Sequence, residues 1–279
     1  MAQQLSSAYV TLFDARVKQA YQAQSVLRGT VRTRTNVEGA TVKFPKIGKG
    51  SAQVRIPQTD VTPINASYSQ VTCTLEDWIA AEYSDVFMRP KVNFDETQEL
   101  VQVVAGAIGR RMDQLIIDAL AASGTSLTVS NDIGGTDSNM NMAKMREAKR
   151  LLDAKNVPMQ GRHLLIHADS LASLLSDTTV TSSDFNTIQA LVRGELRSYL
   201  GFNIITIGDR DEGGLAIDGS SDRTLYAWHS DAVGYAEGIA PRTEINYVPE
   251  KTSFLISSML SAGAVTIDAE GVVAITARE

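Results

Sequence analysis

Two histidines and one aspartate stand close together in the middle of the chain, at positions 163, 167 and 169. His163 and His167 are four residues apart in the apolar segment HLLIH, which is typical of a short buried strand, so their side chains point to the same face. Together with Asp169 they could in principle hold zinc. The segment is not helical, however, and no HExxH motif surrounds it. The pattern therefore favours strand-end histidines with ordinary hydrogen bonds over a metal site.

The other candidate groups also argue against catalysis. His229, Ser230 and Asp231 supply the three residue types of a hydrolase triad, but adjacent residues at the end of a strand cannot converge on one point. Cys73 alternates with apolar residues, which favours a buried thiol over a nucleophile. As the only cysteine, it can form no internal disulfide.

Motifs with a known catalytic or cofactor-binding geometry are missing from the sequence. There is no phosphate loop, dinucleotide-binding glycine pattern, GxSxG elbow or pair of closely spaced carboxylates. The glycine pairs at 134–135 and 213–214 lie in loops. We therefore assign no catalytic, cofactor-binding or metal-binding residue from the sequence, and we expect the chain not to be an enzyme.

Composition indicates a globular protein. The chain has 279 residues, 43% of them hydrophobic and 21% charged, which is enough for one large domain or two closely joined ones. No apolar run approaches the length of a membrane helix. The N-terminal segment lacks the basic and apolar regions of a secretory signal.

Charge is distributed unevenly along the chain. Residues 1–55 carry nine basic and two acidic side chains, a net charge of +7, so the remainder must carry −13 to give the overall −6. A basic first fifth attached to an acidic body can bind phosphate or the acidic body of another copy of the chain. An uneven but merely solvated surface is an equally good interpretation of the charge alone.

The longest helical pattern covers residues 93–124. Apolar residues recur at steps of three or four and form one stripe, which is typical of an amphipathic helix. Capping signals precede it, and Ser123-Gly124 predicts its end. Gly106 and Gly109 lie inside it, which indicates that another segment packs closely there. The residues of the stripe are Val101, Val104, Ile108, Met112, Leu115 and Ala119.

Two segments before this helix have few local partners. Residues 1–28 have the spacing of an amphipathic arm. Residues 40–75 contain alternating strands at 41–44, 52–56 and 71–75, with Pro45 ending the first and a tight turn at 48–50. Such a flap cannot bury both of its faces, so it should lie on another surface, either within the chain or across a subunit boundary.

The rest of the chain alternates helices and strands, which predicts the α+β class. An acidic segment with apolar anchors, 76–85, leads into the long helix. Helical patterns follow at 142–152, in SLASLL after a cap at Asp169, and at 185–199. Strands are predicted at 163–167, 202–207, 224–228, 232–237, 243–248, 254–268 and 272–277.

This order of elements resembles the major capsid protein of tailed bacteriophages, the Hong Kong 97-type fold. HLLIHADSLASLL is similar to the strand, turn and short helix of that family's A-domain, and GELRSYLGFNIITIGD is similar to the helix and strand that lead to its axial loops. DAVGYAEGIAPRTEIN and the final GVVAI resemble the family's ending. The resemblance covers nearly the whole chain.

The resemblance implies an organisation and a set of partners. The N-arm would be residues 1–39, the E-loop 40–75, the spine helix 93–123, the P-domain 76–142 with 246–279, and the A-domain 143–245. The protein would assemble as pentamers and hexamers into an icosahedral head, in the virion, after assembly in the host cytoplasm. Packaged double-stranded DNA, held non-specifically, a portal protein and a separate scaffolding protein would be its partners, with no membrane. No cofactor and no covalent cross-link is predicted.

The arm and the flap would then meet neighbouring subunits. The basic residues expected to make these contacts are Arg28, Arg32, Arg34, Lys43, Lys46, Lys49 and Arg55. Two other hypotheses stay open at this point. One is a shell of the same fold around protein cargo, of the encapsulin type. The other, from a different class, is a soluble metal-dependent hydrolase built on His163, His167 and Asp169.

Overall fold

The computed structural model describes residues 24–58, 60–61, 63–87, 96–176, 198–210 and 212–279. The predicted helix of the arm lies almost entirely outside these ranges. No helix among the described residues is long and apolar enough to cross a bilayer.

The described helices are α1 (Glu96–Ala121), α2 (Met142–Ala154) and α3 (Ala168–Ser176). The described strands are β1 (Arg32–Arg34), β2 (Thr41–Ile47), β3 (Tyr68–Thr74), β4 (Glu76–Asp85), β5 (Thr128–Val129), β6 (Arg162–His167), β7 (Ser198–Tyr199), β8 (Phe202–Ile207), β9 (Asp222–His229), β10 (Val233–Val248), β11 (Ser253–Thr266) and β12 (Val272–Arg278).

The long helix α1 is the element on which the rest of the fold packs. Its 26 residues correspond to about 39 Å at 1.5 Å per residue. The predicted stripe is confirmed at Val104, Ile108, Met112 and Ala119, all of which are buried. The chain leaves the helix through Gly124 with φ of +59°, the left-handed conformation that the sequence predicted for its end.

A four-stranded sheet with the order β1-β10-β11-β4 packs against α1. Its antiparallel ladder between β10 and β11 extends from Val233 opposite Thr266 to Val248 opposite Ser253. Ile256 is fully buried on the helix side, as the alternation of a half-buried strand requires. The acidic segment before α1 forms the outer strand β4, for which the sequence had suggested no secondary structure.

Two strands predicted separately, at 232–237 and 243–248, are one strand, β10. The sequence between them contains Gly238 and Pro241, which indicated a break. The structure accommodates both residues as irregularities, with register shifts between Glu237 and Arg242. Proline is tolerated there because β1 pairs with β10 only at residues 234–236, so the amide of residue 241 is not needed for a ladder on that side.

A six-stranded sheet with the order β5-β12-β9-β6-β8-β7 forms the second layer, with α2 and α3. Its central strands β6, β9 and β12 are almost entirely buried. The helix predicted at 142–152 is confirmed as α2, and Asn156 follows it with φ of +59°. The short helix after β6 begins at Ala168, so His167 rather than Asp169 occupies the position before its first turn.

The helix predicted at 185–199 is wrong at its end, and residues 185–197 lie outside the described ranges. Ser198 and Tyr199 form β7, which pairs with Asn203 and Phe202 of β8. The two residues between the strands, Leu200 and Gly201, both have positive φ. This is the geometry of a two-residue hairpin turn, which takes the place of the last helical residues predicted at 198–199.

The flap is a hairpin of β2 and β3 that continues as an irregular loop. Pro45 does not end the first strand, because β2 extends to Ile47. Residues 48–50 form no tight turn: the Gly48 amide donates to the Ser67 carbonyl at 2.7 Å, and the chain reverses later, at 57–58. The strand predicted at 52–56 is absent, and these residues are exposed on both sides. Because none of the described residues covers it, this stretch gains too little from burial to form a ladder.

Candidate assembly surface

The base of the arm is attached to α1 by one buried carboxylate. Asp113 is fully buried, and its oxygens accept hydrogen bonds from the Ser25 hydroxyl at 2.9 Å and from the Val26 and Leu27 amides at 3.1 Å. Arg210 donates to the other side of the same carboxylate at 3.0 Å. One side chain thus joins the arm, the long helix and the loop after β8.

The sequence analysis missed the role of Asp113. A signal was present in the sequence. Asp113 lies in the helix between Met112 and the apolar pair Ile116-Ile117, so a wide buried face of the helix includes position 113. Close packing of another segment, predicted from the helix glycines, is seen at Gly109, where a Cβ atom would lie 3.6 Å from Ser25.

The predicted basic residues of the arm differ in their surroundings. Arg28 Nη2 lies 2.6 Å from Oε2 of Glu237, whose side chain is almost fully buried. Arg32 and Arg34 are exposed on the edge strand β1, and neither forms an ion pair with another residue in the described ranges. Arg28 therefore ties the arm to its own chain, while the other two remain available to a partner.

The base of the flap packs on its own chain. Val42, Phe44 and Cys73 share one face of the hairpin and are buried against β10 and β11. The fit depends on glycine: a Cβ at Gly234 would lie 2.8 Å from the Phe44 ring, and one at Gly263 would overlap the Thr74 carbonyl. Burial raises the pKa of the Cys73 thiol to about 11. The predicted buried thiol is confirmed.

In the described ranges, the apolar side chains at the tip of the flap, residues 47–68, are not buried on the body as those of its base are. The tip carries large apolar side chains that are mostly exposed, up to 93% for Val54 and 87% for Val61. Exposed apolar residues scattered singly are normal, but a group on one extended loop is typical of a surface that binds another protein. The members of this apolar tip are Ile47, Val54, Ile56, Val61, Ile64 and Tyr68.

Two of the predicted flap lysines contact the acidic turn between β11 and β12. Lys46 Nζ lies 2.8 Å from Asp268, and Lys49 Nζ lies 2.7 Å from Glu270. Lys155 also contacts Glu270, at 3.3 Å. The hydrogen bond from Lys49 and then that from Lys155 lower the pKa of the Glu270 carboxyl.

The remaining two basic residues of the flap, Lys43 and Arg55, are exposed. In the described part of the chain neither has a carboxylate partner. Contact of all seven basic residues with a neighbouring subunit stays a prediction.

A second apolar surface lies on the four-stranded sheet, on the side away from α1. Ile79 and Tyr83 of β4 are 67% and 41% exposed, and they alternate with Trp78 and Ala80, which pack towards the core. Tyr247, near the end of β10, is also half exposed, but its register with Phe254 and Ser84 places it on the other face of the sheet. The face with Ile79 and Tyr83 has the character expected of an interface between copies.

The residues considered for catalysis do not assemble into the predicted sets. His163 packs on Trp228, with ring centroids 5.7 Å apart, and burial, followed by the charge of His229, lowers its pKa. His229 Nδ1 accepts from the Asp231 amide at 3.2 Å, so this histidine caps a turn and forms no triad.

His167 is the exception, because its ring has carboxylate neighbours. Asp169 lies near it, as predicted, but the third group at its ring is Glu279 and not His163. No local pattern pointed to Glu279, which is 112 positions away from His167 in the chain.

Solved phage structures share this fold. The structure from Mycobacterium phage Che8 has a TM-score of 0.75 at 19% identity, covering 96% of this chain and 97% of that one. The capsid structure of the cyanophage P-SCSP1u has a TM-score of 0.77 at 15% identity, covering 100% and 96%. The head structure of Helicobacter pylori bacteriophage KHP40 has a TM-score of 0.76 at 12% identity, covering 98% and 96%. No curated protein sequence matches the chain significantly.

The sequence itself matches one protein family. Residues 5–279 match the family described as phage capsid protein. The predicted α+β class and the resemblance to the Hong Kong 97-type fold are both confirmed. Because the family match spans almost the whole chain, the protein belongs to the phage capsid protein family and is a major capsid protein that forms the phage head.

Proposed function

We propose that the chain assembles as pentamers and hexamers into a closed icosahedral shell, and that the apolar tip of the flap binds the exposed face of the four-stranded sheet of a neighbouring copy. The observation that carries this proposal is the contrast within the flap. Its base is buried on its own chain, while its tip exposes Val54 and Val61 almost completely. A loop that packs on its own chain at its base and exposes apolar side chains at its tip is expected to contact another molecule.

The basic residues would act in two groups. Arg28, Lys46 and Lys49 already hold carboxylates of their own chain, so their role is to set the direction of the arm and the flap. Arg32, Arg34, Lys43 and Arg55 have no such partner within the described ranges, and acidic surface of the adjacent subunit would supply it. The net charge of −13 outside residues 1–55 supports this pairing.

The wider setting follows from the same proposal. The shell would enclose double-stranded DNA held without sequence specificity, would use a portal protein and a separate scaffolding protein, and would assemble in the host cytoplasm. The chain itself would perform no catalysis. The proposed division keeps the N-arm at 1–39, the E-loop at 40–75, the P-domain at 76–142 with 246–279, and the A-domain at 143–245. Two strands cross it, since β10 runs through residue 245 and β12 lies in the six-stranded sheet.

Changing Val54 and Val61 together to aspartate should abolish shell formation and leave the subunit folded. Both side chains are exposed in the single chain, so the subunit loses no buried contact, whereas charges placed in an apolar interface must be desolvated. Melting of the unassembled subunit and electron microscopy of assembly mixtures provide the two measurements. DNA content of wild-type particles separates a phage head from a cargo compartment.

Ile217→Asp serves as the control, because Ile217 is a half-exposed apolar side chain outside the flap, opposite Arg223 of β9. It should assemble like the wild type. Normal shells from the doubly substituted flap would show that the tip does not contact a neighbour.

Changing Lys43 and Arg55 to serine should reduce the stability of the particle more than that of the subunit. Each exposed contact is weak, but a closed shell repeats it in every copy. High salt should produce the same loss in wild-type particles, because such contacts are screened over about 8–10 Å. The measurement compares particle disassembly with subunit melting at low and high salt. The matched variant is Lys46→Ser with Lys49→Ser, which should also change the melting temperature of the free subunit. Equal effects of the two variants on the subunit would contradict the division into two groups.

A further inference from the structure

A buried histidine faces three carboxylates at one end of the six-stranded sheet. His167 is the last residue of β6, Asp169 lies in the first turn of α3, and Glu279 follows β12. The His167 side chain is 3% exposed and that of Glu279 is 10% exposed. His167 Nδ1 lies 3.0 Å from Glu279 Oε1 and 3.4 Å from Asp169 Oδ2. Three chain segments thus present one nitrogen and two oxygens to a common point.

The described hydrogen bonds do not explain why His167 Nδ1 and the two carboxylate oxygens lie so close together. Among the described residues, Glu279 Oε1 is buried and accepts no hydrogen bond. His167 Nδ1 accepts one there, from the Asp169 amide at 3.4 Å, the long end of the range. Two lone-pair atoms facing each other at 3.0 Å repel unless a positive charge lies between them. Buried polar atoms left without partners require such an explanation.

The second nitrogen of the ring shows which lone pair is available. Nε2 makes no aligned hydrogen bond, but its charged neighbour is Asp209 Oδ1 at 3.3 Å. This favours the proton on Nε2 and leaves Nδ1 with a lone pair, towards which the Asp169 amide makes only its long contact. Arg223 in turn holds Asp209 at 3.0 Å and the outer oxygen of Glu279 at 2.8 Å. Metal-binding histidines commonly have a carboxylate behind the ring in this way.

Charge in the cluster is not balanced. Asp169, Asp209 and Glu279 are three carboxylates, and in the part of the chain that the structure describes Arg223 is the one guanidinium that contacts them. With the imidazole neutral, two negative charges remain without a counter-charge beside a buried ring. A divalent cation would neutralise them.

The distances also match those of a coordination sphere. At a metal–ligand distance of about 2.1 Å, two ligand atoms lie about 3.0 Å apart at a right angle and about 3.4 Å apart at the tetrahedral angle. We propose that His167 Nδ1, Asp169 Oδ2 and Glu279 Oε1 bind one divalent transition-metal ion of the Zn²⁺ type, with water in the remaining positions. Imidazole combined with carboxylate selects such an ion over Mg²⁺ or Ca²⁺, which prefer oxygen ligands alone. The ion would tie the start of α3 and the end of β12 to β6. This metal site does not depend on the proposed shell contacts.

The chain contains a matched control for this site. His229 and Asp231 have the same His-x-Asp spacing, and the Asp231 amide likewise donates to His229 Nδ1, at 3.2 Å. There the carboxylate is 3.8 Å from the ring, and no third ligand joins the pair within the ranges that the structure describes. A histidine that merely caps a turn should therefore behave like His229.

The test is zinc binding by the purified full chain, in whichever assembly state it is obtained. The protein is stripped with chelator, titrated with ZnCl₂, and passed through a desalting column before metal and protein are quantified. We expect one zinc per chain and a higher melting temperature, with no such change in MgCl₂ or CaCl₂. Asp169→Asn should weaken binding at least about tenfold. Its side chain is 69% exposed, so the fold should persist. Glu279→Gln should weaken binding further.

Asp231→Asn should bind zinc like the wild type. Equal losses in the Asp169 and Asp231 variants would mean adventitious surface zinc and would overturn the proposal. Failure of the wild type to retain zinc would overturn it as well, and would assign the missing positive charge to a proton on the His167 ring.

Discussion

Replacing Asp113 with alanine is expected to destabilise the subunit by about 3–5 kcal/mol, the usual effect of removing one partner from a buried ion pair. The substitution leaves the Arg210 guanidinium, the Ser25 hydroxyl and two backbone amides without an acceptor. The Leu27 amide and the Arg210 guanidinium are buried and cannot readily recover their hydrogen bonds from water. Urea unfolding of the unassembled chain measures the effect.

Asp118→Ala is the matched control, because Asp118 lies five residues further along α1 and is exposed. It should change stability by less than about 0.5 kcal/mol, as expected at the surface. The Asp113 variant should also free the base of the arm, which limited proteolysis near residue 25 would detect. If the two variants unfold at the same urea concentration, the carboxylate does not hold the three segments together.

Replacing Gly263 with alanine is expected to displace the flap from the body. The added Cβ would overlap the Thr74 carbonyl oxygen and lie 3.1 Å from Cys73 Sγ. Since the overlapping atom belongs to the backbone of β3, no side-chain rotation can relieve it. Overpacking of this kind typically costs about 1–3 kcal/mol. The variant should therefore melt earlier and form few or no shells.

Cys73 reports directly on this displacement. It is the only cysteine in the chain and is 1% exposed, on the buried face of the flap base. A thiol reagent should therefore modify the native wild type slowly and the Gly263 variant quickly. Gly219→Ala is the control, since a Cβ at that position meets nothing within 4 Å. Slow modification in both variants, with unchanged melting, would show that β3 does not depend on the glycine.

The sequence predicted the elements whose pattern is local. The stripe of α1 and the buried residues of α2 recur at helical spacing, and the apolar face of the flap base alternates as a strand does. Each of these patterns lies within one element, where the neighbours along the chain determine which side is buried. For this reason the class and the order of elements could be predicted without a structure.

The groups with unusual surroundings could not be predicted in the same way. Asp113 lies at a position that a wide buried face of the helix includes, but its carboxylate is satisfied there by the arm folded back over α1 and by Arg210, which the helical pattern does not contain. Glu279 reaches His167 because β12 lies in the same sheet as β6, a long-range pairing that no periodicity contains. Gly238 and Pro241 indicated a strand break, but the structure absorbs them as register shifts in a strand whose outer edge is unpaired.

The ladder between β10 and β11 has a mechanical consequence. The two strands run side by side for about 45 Å at 3.3 Å per residue, and the hydrogen bonds between them lie perpendicular to their length. A pull along the strands loads these bonds in shear, so many must fail at once, whereas a pull across the strands would open them one after another. In a head wall stretched by its contents, the subunit would thus resist tension best along the direction of this ribbon and yield first at right angles to it.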